Sequence, residues 1–89
     1  MHHTSIIEST ALIRATESES CISIGSGNIV EDGVVIETLE PKFRIDIGQG
    51  NIFQVGCVIH CGNVGNGCIF GVKCQISKNV IVEDNCWIG

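Results

Sequence analysis

A six-residue beat constrains this chain more than any other feature. An aliphatic residue or Phe recurs at Ile7, Ile13, Ile24, Val30, Ile36, Ile47, Phe53, Ile59, Val64, Phe70, Ile76, Val82 and Ile88. Successive members are six apart, except for one step of five (Ile59 to Val64) and two of eleven (Ile13 to Ile24, Ile36 to Ile47). An amphipathic helix would repeat about every 3.6 residues, and a half-buried strand every second residue. A period of six suits neither.

It suits a coil whose walls are short strands, the hexapeptide-repeat solenoid. The beat therefore predicts an all-β fold, a left-handed parallel β-helix with three walls and about four turns. Residues 1–6 form a lead and 7–89 the β-helix domain, with no α-helix expected within 22–89. Counting each beat residue as position one, position four holds Gly27, Gly33, Gly50, Gly56, Gly62, Gly67, Asn79 and Asn85. Gly and Asn enter the left-handed backbone region at low cost, as a sharp corner once per hexad requires. Position five is small or short at Ala11, Asn28, Val34, Asn51, Cys57, Asn63, Cys68, Cys74, Val80 and Cys86. Such residues are expected to point inward without overfilling a narrow core. Glu17 and Glu40 break the rule where the spacing stretches, so both are placed in loops.

Three hexads close one triangular turn. Ile47, Val64 and Val82 should stack on one wall, Phe53, Phe70 and Ile88 on the second, and Ile36, Ile59 and Ile76 on the third. Turns should lie about 4.8 Å apart, the ordinary strand spacing. Both long steps fall at one corner, so the loops at 18–20 and 40–44 should project from the same edge.

Eighty-nine residues make one domain. The net charge is −5 and no Lys/Arg cluster exists, which argues against nucleic-acid binding. Neither a signal peptide nor a spanning segment is evident, so no membrane insertion is expected and the cytosol is. His2 and His3 are assigned no role. The six cysteines are read as reduced thiols. Cys57, Cys68, Cys74 and Cys86 take interior positions as small hydrophobes, while Cys21 and Cys61 are expected at the surface. Cys57 with Cys74, and Cys68 with Cys86, stack on adjacent turns at a separation a bridge could span, but a reducing compartment disfavours one.

Glu37 and His60 follow the beat residue of the third wall on successive turns, with Ser77 one turn further. The ladder has the outline of a triad, but no oxyanion hole accompanies it. A surface Glu–His pair is the plainer reading. The repeat also resembles the γ-class carbonic anhydrases, whose zinc is held by three His from adjacent turns and neighbouring subunits. By that resemblance His60 matches one ligand position, and Glu37 and Val55 fall on the other two. Val55 cannot bind a metal, and a catalytic zinc needs three protein ligands. Glu37, Val55 and His60 are thus vestigial-site candidates at most, and no catalytic residue, metal or cofactor is expected. Acyltransferases of this scaffold use an interfacial His and a long reaching loop; the 40–46 loop is too short for that. Trp87 should face outward near the end of the coil, and Val82, Trp87 and Ile88 are the candidate contact residues. No capping helix follows them, so residues 76–89 are expected to be covered by further residues or by another chain.

The run IDIGQGNIFQVGCVIHCGNVGNGCIFGVKCQISKNVIVEDNCWIG (45–89) and the preceding ISIGSGNIVEDGVVI (22–36) resemble the hexapeptide-repeat subunits of the dynactin pointed-end complex. The string from Gly50 to Cys57 is the most specific part. That resemblance implies a non-enzymatic subunit acting beside a sister hexapeptide-repeat subunit (dynactin subunit 5), an actin-related protein and dynactin subunit 4. It would be cytoplasmic and cytoskeleton-associated, supporting dynein-dependent transport along microtubules and cargo engagement. Against the family pattern the chain lacks roughly a first turn, a longer loop, and the C-terminal helix and tail. The alternative is a γ-carbonic-anhydrase-like or acyltransferase-like enzyme retaining His60, and Val55 is the residue that discriminates.

Overall fold

A computed structural model describes residues 6–7, 11–15 and 19–89. The expected lead through residue 5, and Glu17 and Ser18 of the first loop, lie outside the described residues. Thirteen short strands follow one another: β1 (Ile6–Ile7), β2 (Leu12–Arg14), β3 (Cys21–Ile24), β4 (Ile29–Val30), β5 (Val35–Glu37), β6 (Arg44–Ile47), β7 (Ile52–Phe53), β8 (Val58–Ile59), β9 (Asn63–Val64), β10 (Ile69–Phe70), β11 (Gln75–Ile76), β12 (Ile81–Val82) and β13 (Trp87–Ile88). No helix occurs among the described residues.

Every third strand pairs with its predecessor, always in parallel, and three sheets result. The Phe wall is β1-β4-β7-β10-β13, the Ile wall β2-β5-β8-β11 and the Val wall β3-β6-β9-β12. Register follows the beat. Phe70 pairs with Phe53 and Ile88, Ile59 with Ile36 and Ile76, and Val64 with Ile47 and Val82. This is a parallel β-helix of about four turns, with beat residues stacked inward. Val30, Ile36, Phe53, Ile59 and Phe70 are wholly buried. The Phe53 and Phe70 rings lie 4.6 Å apart and 6° from parallel, a stacking that the in-register ladder imposes.

The corner between the Val and Phe walls has a polar interior. Asn28 and Asn51 are both 0% exposed. The Asn28 amide donates to the carbonyls of Gly25 and Gly48, each at 2.9 Å. Its Oδ1 accepts from the Asn51 backbone N–H (2.9 Å) and side chain (3.0 Å). Asn51 Nδ2 also donates to Gly65 O at 2.9 Å, and its Oδ1 accepts the Cys68 N–H at 2.8 Å. Each amide thus ties its own turn to the next, and no buried side-chain N or O lacks a partner among the described residues. The same corner needs close backbone approach. A Cβ on Gly48 would lie 2.6 Å from Gly65 O. Gly50 sits at φ 68°, where a side chain is strained.

The expected corner residues Gly27, Gly33, Gly50, Gly56, Gly67 and Asn85 do adopt positive φ. Gly62 and Asn79 do not, whereas Lys73 does at φ 58°. The exception at Gly62 comes from the five-residue step. Asn63 pairs with Asp46, which puts Gly62 beside Ile45 and leaves Asn63 exposed instead of inward. Cys61 turns in to fill the space and is 0% exposed, so the expectation of a surface thiol there is corrected. The ring of Phe43 leans over the space a Gly62 side chain would occupy, 3.4 Å from its Cβ position. Val80 is also corrected: it is 39% exposed. Cys74 and Cys86 are only half-buried, packed against the core edge.

The two long steps do share a corner. Cys21–Ile24 pairs with Arg44–Ile47 over four rungs, and the Cys21 N–H donates to Phe43 O at 3.1 Å. Buried Thr38 donates to Ser20 Oγ at 2.9 Å beneath them.

Two outcomes check this architecture. Asn51→Ala would strand the partners of a buried amide, and loss of about 3 kcal/mol in urea unfolding is expected. Burial also pushes the Cys57 thiol up to about 12 and raises Cys61 and Cys74. Alkylation of the folded protein followed by peptide mass analysis should modify exposed Cys21 first, with Cys57, Cys61 and Cys68 protected until unfolding.

Candidate functional site

The Ile–Val corner carries the densest cluster of ionisable side chains. Strand pairing aligns Arg14 with Glu37, and the next rung brings His60 beside Glu37. Arg14 Nε donates to Glu37 Oε2 at 3.0 Å, and His60 Nε2 lies 3.2 Å from Glu37 Oε1. Glu37 and His60 are largely shielded, with side chains 19% and 21% exposed, while Arg14 is 54% exposed. The His60 hydrogen bond first, and the Arg14 hydrogen bond second, hold the Glu37 carboxyl below its ordinary value of 4.5. Both carboxylate oxygens are therefore engaged as acceptors. Arg14 follows Ile13 as Glu37 follows Ile36 and His60 follows Ile59, with 23 residues between successive members, so the same register reaches it one turn earlier.

Val55 does not join them. It sits at the corner between the Phe and Ile walls, 45% exposed, where Lys73 N–H donates to its carbonyl at 2.9 Å. Glu37 and His60 are brought together; Val55 is one corner away. Among the described residues no group of three His, Cys, Asp or Glu side chains could hold a metal ion.

The end-turn candidates behave differently from one another. Trp87 is 80% exposed on the outer face of the Phe wall, whereas Val82 points to the core at 3% and Ile88 is half-buried against it. The exposed neighbour of Val82 is Ile81, at 72%. Asn63, Gly65, Val82, Glu83 and Asp84 line a shallow depression nearby. There Asp84 Oδ1 accepts the Asn66 N–H at 2.8 Å.

The outer faces of the walls hold the pattern that the inward-facing beat left unread. Ile29, Ile52, Ile69 and Trp87 pair in one line on the Phe wall. Leu12, Val35, Val58 and Gln75 do so on the Ile wall. The Val wall instead shows Ser23, Asp46 and Asn63 before Ile81. The residue just before each beat position is the signal that would have shown this.

Among known proteins, dynactin subunit 6 of Dictyostelium discoideum is 52% identical to this chain over 31 residues. That stretch covers 35% of this chain and 16% of the relative's length. No family model and no solved structure matches. No helix among the described residues is long and apolar enough to cross a membrane, which leaves β-barrel spans unaddressed.

The Glu37 cluster has a pH signature. A carboxyl whose folded value lies below its unfolded one stabilises fully above the unfolded value, and that stabilisation is lost as pH falls through the folded value. Glu37→Gln should therefore cost about 1 kcal/mol at neutral pH. The difference from the unsubstituted protein should close in acid, as read by urea unfolding across pH.

Proposed function

We propose that this chain is a non-enzymatic structural and interaction subunit of dynactin-6 type. The observation that carries the reading is the 52% identity over 31 residues to dynactin subunit 6, borne by a parallel β-helix. The Glu37–His60 pair supports it from the chemical side. Glu37 is held at both oxygens by Arg14 and His60, and Val55 stands at another corner with no donor to offer. A scaffold of this kind serves enzymes and inert subunits alike, so the side chains and not the fold weigh between them.

In this reading the chain works in the cytoplasm at the pointed end of the dynactin filament, supporting dynein-driven transport. Its partners are a dynactin subunit 5-like hexapeptide-repeat protein, an actin-related protein and dynactin subunit 4. Trp87 supplies an end-turn contact, with Val82 and Ile88 filling the core of the same last turn: an indole this exposed on an apolar ladder is a strong anchor type.

Co-expression with a dynactin subunit 5-like partner and purification through a tag on that partner tests the assignment. A stoichiometric complex is expected, weakened by roughly tenfold in Trp87→Ala, as for a central aromatic contact, and unchanged in His60→Ala. Failure of any dynactin subunit to co-purify would overturn the reading. So would carbon dioxide hydration or acyl transfer above background that disappears in His60→Ala.

A further inference from the structure

Two cysteines face each other across neighbouring turns at the Phe–Ile corner. Strand pairing sets Gln75 beside Val58, so Cys74 and Cys57, one residue earlier on each strand, lie level. The Val58 N–H donates to Cys74 O at 2.8 Å, which fixes that register. Neighbouring rungs lie about 4.8 Å apart, inside the roughly 4.4–6.8 Å that a disulfide spans between Cα atoms. Both side chains belong to the core: Cys57 is wholly buried, and half-buried Cys74 packs against the core edge. The two thiols share a hydrogen bond.

The other stacked pair is arranged differently. Ile69 pairs with Trp87, which levels Cys68 with Cys86, but their thiols turn to carbonyls. Cys68 Sγ donates to Glu83 O at 3.0 Å and Cys86 Sγ to Asp84 O at 3.9 Å. Cys21 pairs with Arg44, and the Cys61 thiol donates to Asn63 O at 3.8 Å. Cys57 and Cys74 are the two thiols that hydrogen-bond to each other.

We propose that Cys57 and Cys74 are a redox-sensitive staple, closing a disulfide between adjacent turns when the chain meets a small organic disulfide such as oxidised glutathione. Cys74, at the core edge, reacts first. Its thiolate attacks one sulfur of the small disulfide; that S–S bond breaks, and one thiolate leaves and takes up the Cys74 proton. Cys57 then attacks the Cys74 sulfur of the mixed disulfide. The Cys57–Cys74 bond forms, the second small thiolate leaves, and the Cys57 proton ends on it. Two protein thiols are oxidised and one small disulfide is reduced to two thiols, so excess small thiol reverses the reaction. The surroundings assign these roles. Burial first, and Cys74 second, push the Cys57 thiol up to about 12, so Cys57 stays protonated and is the donor. Burial raises Cys74 too, but the hydrogen bond from Cys57 draws it back, which favours the thiolate there. That thiolate is still scarce at neutral pH, and closure takes minutes to hours.

The bridge closes a ring of one turn. From Cys57 the chain runs through β8, β9 and β10, one strand on each wall, and returns to the same corner at Cys74. Neighbouring turns of a solenoid stabilise one another, and the turn that begins at Cys74 carries Trp87. A crosslink to the turn before it restricts its opening. The staple stands apart from the dynactin assignment: it needs no other protein and uses none of the Trp87 surface.

Incubation of the full chain with mixtures of oxidised and reduced glutathione reads it, followed by blocking of free thiols, trypsin cleavage and mass analysis. Cleavage after Lys73 and Lys78 isolates Cys74 on the 74–78 peptide, so a bridge from it to 45–73 is distinct from one joining 45–73 to 79–89. The first is expected, with fragmentation placing its other end at Cys57, and excess reduced glutathione should remove it. The oxidised chain should unfold at a urea concentration higher by on the order of 1 M. Cys57→Val keeps an apolar filler, since buried Val34 holds the same slot one turn earlier, and it should trap glutathione on Cys74. Cys74→Ser should leave Cys57 unmodified, and Cys68→Ser should not alter the bridge. Circular dichroism confirms the fold of each variant. Absence of the bridge at every glutathione ratio, a bridge to Cys61 or Cys68 instead, or one that forms only in urea overturns the proposal. So does glutathione held on Cys57 in Cys74→Ser, or an unfolding midpoint that oxidation does not move.

Discussion

A solenoid with sharp corners must turn its backbone beside its own core, and each turn delivers peptide groups to a place water does not reach. In this chain the two buried amides of Asn28 and Asn51 resolve that conflict. Each donates to carbonyls of its own corner or the next turn, and each accepts a backbone N–H from the turn below. The rest of the coil depends on this. The glycines can close to backbone distance only because the carbonyls they bring together have donors between them. The flanking Phe and Val walls are then held at the angle that lets Phe53 and Phe70 stack.

The ladder weakens along the coil. Below Asn51 the same slot passes to Cys68, whose thiol lies 3.0 Å from Glu83 O, and then to Cys86, 3.9 Å from Asp84 O. A thiol is a weak donor and offers no second arm. Neighbouring turns in a solenoid stabilise one another pairwise, so the amide-linked turns form the firm part and the Cys86 turn opens at lower cost. The surface candidates therefore sit on unequal foundations. Ile29 and Ile52 are backed by the amide ladder; Trp87 is backed by the thiol end.

Much of this fold was legible because its period is carried by side chains that face one shared core. Wall membership, parallel pairing and the common edge of both long loops all follow from the beat. Errors arose where counting forward from a beat residue lost its meaning. Across the five-residue step the inward slot is set by the strand that follows, not the one before, so Asn63 turned outward and Cys61 inward. Asn28 and Asn51 were read as merely short, because sequence shows that a residue fits a slot but not that its amide will make three or four hydrogen bonds there. At the candidate site, Glu37 beside His60 was legible from register. Arg14 was equally accessible, because it follows Ile13 and lies 23 residues from Glu37 as Glu37 does from His60; the register had only to be carried one turn further back. The outer ladder escaped because only inward positions had been followed.

The polarity of the three outer faces sets what the surface is suited to do. On the Val wall, Asp46 accepts from Arg44 Nε at 2.8 Å through both oxygens, an arrangement complete within the chain and suited to water. At the Ile–Val corner Glu37 is likewise occupied by its own neighbours. The Phe wall and much of the Ile wall have no such internal partners; their outer residues are aliphatic, and removal from water is what stabilises them. The coil thus has apolar outer faces on one side and self-satisfied polar groups on the other. The character of these outer faces follows from the same six-residue repeat that builds the core, because each inward beat residue fixes its predecessor on the outside.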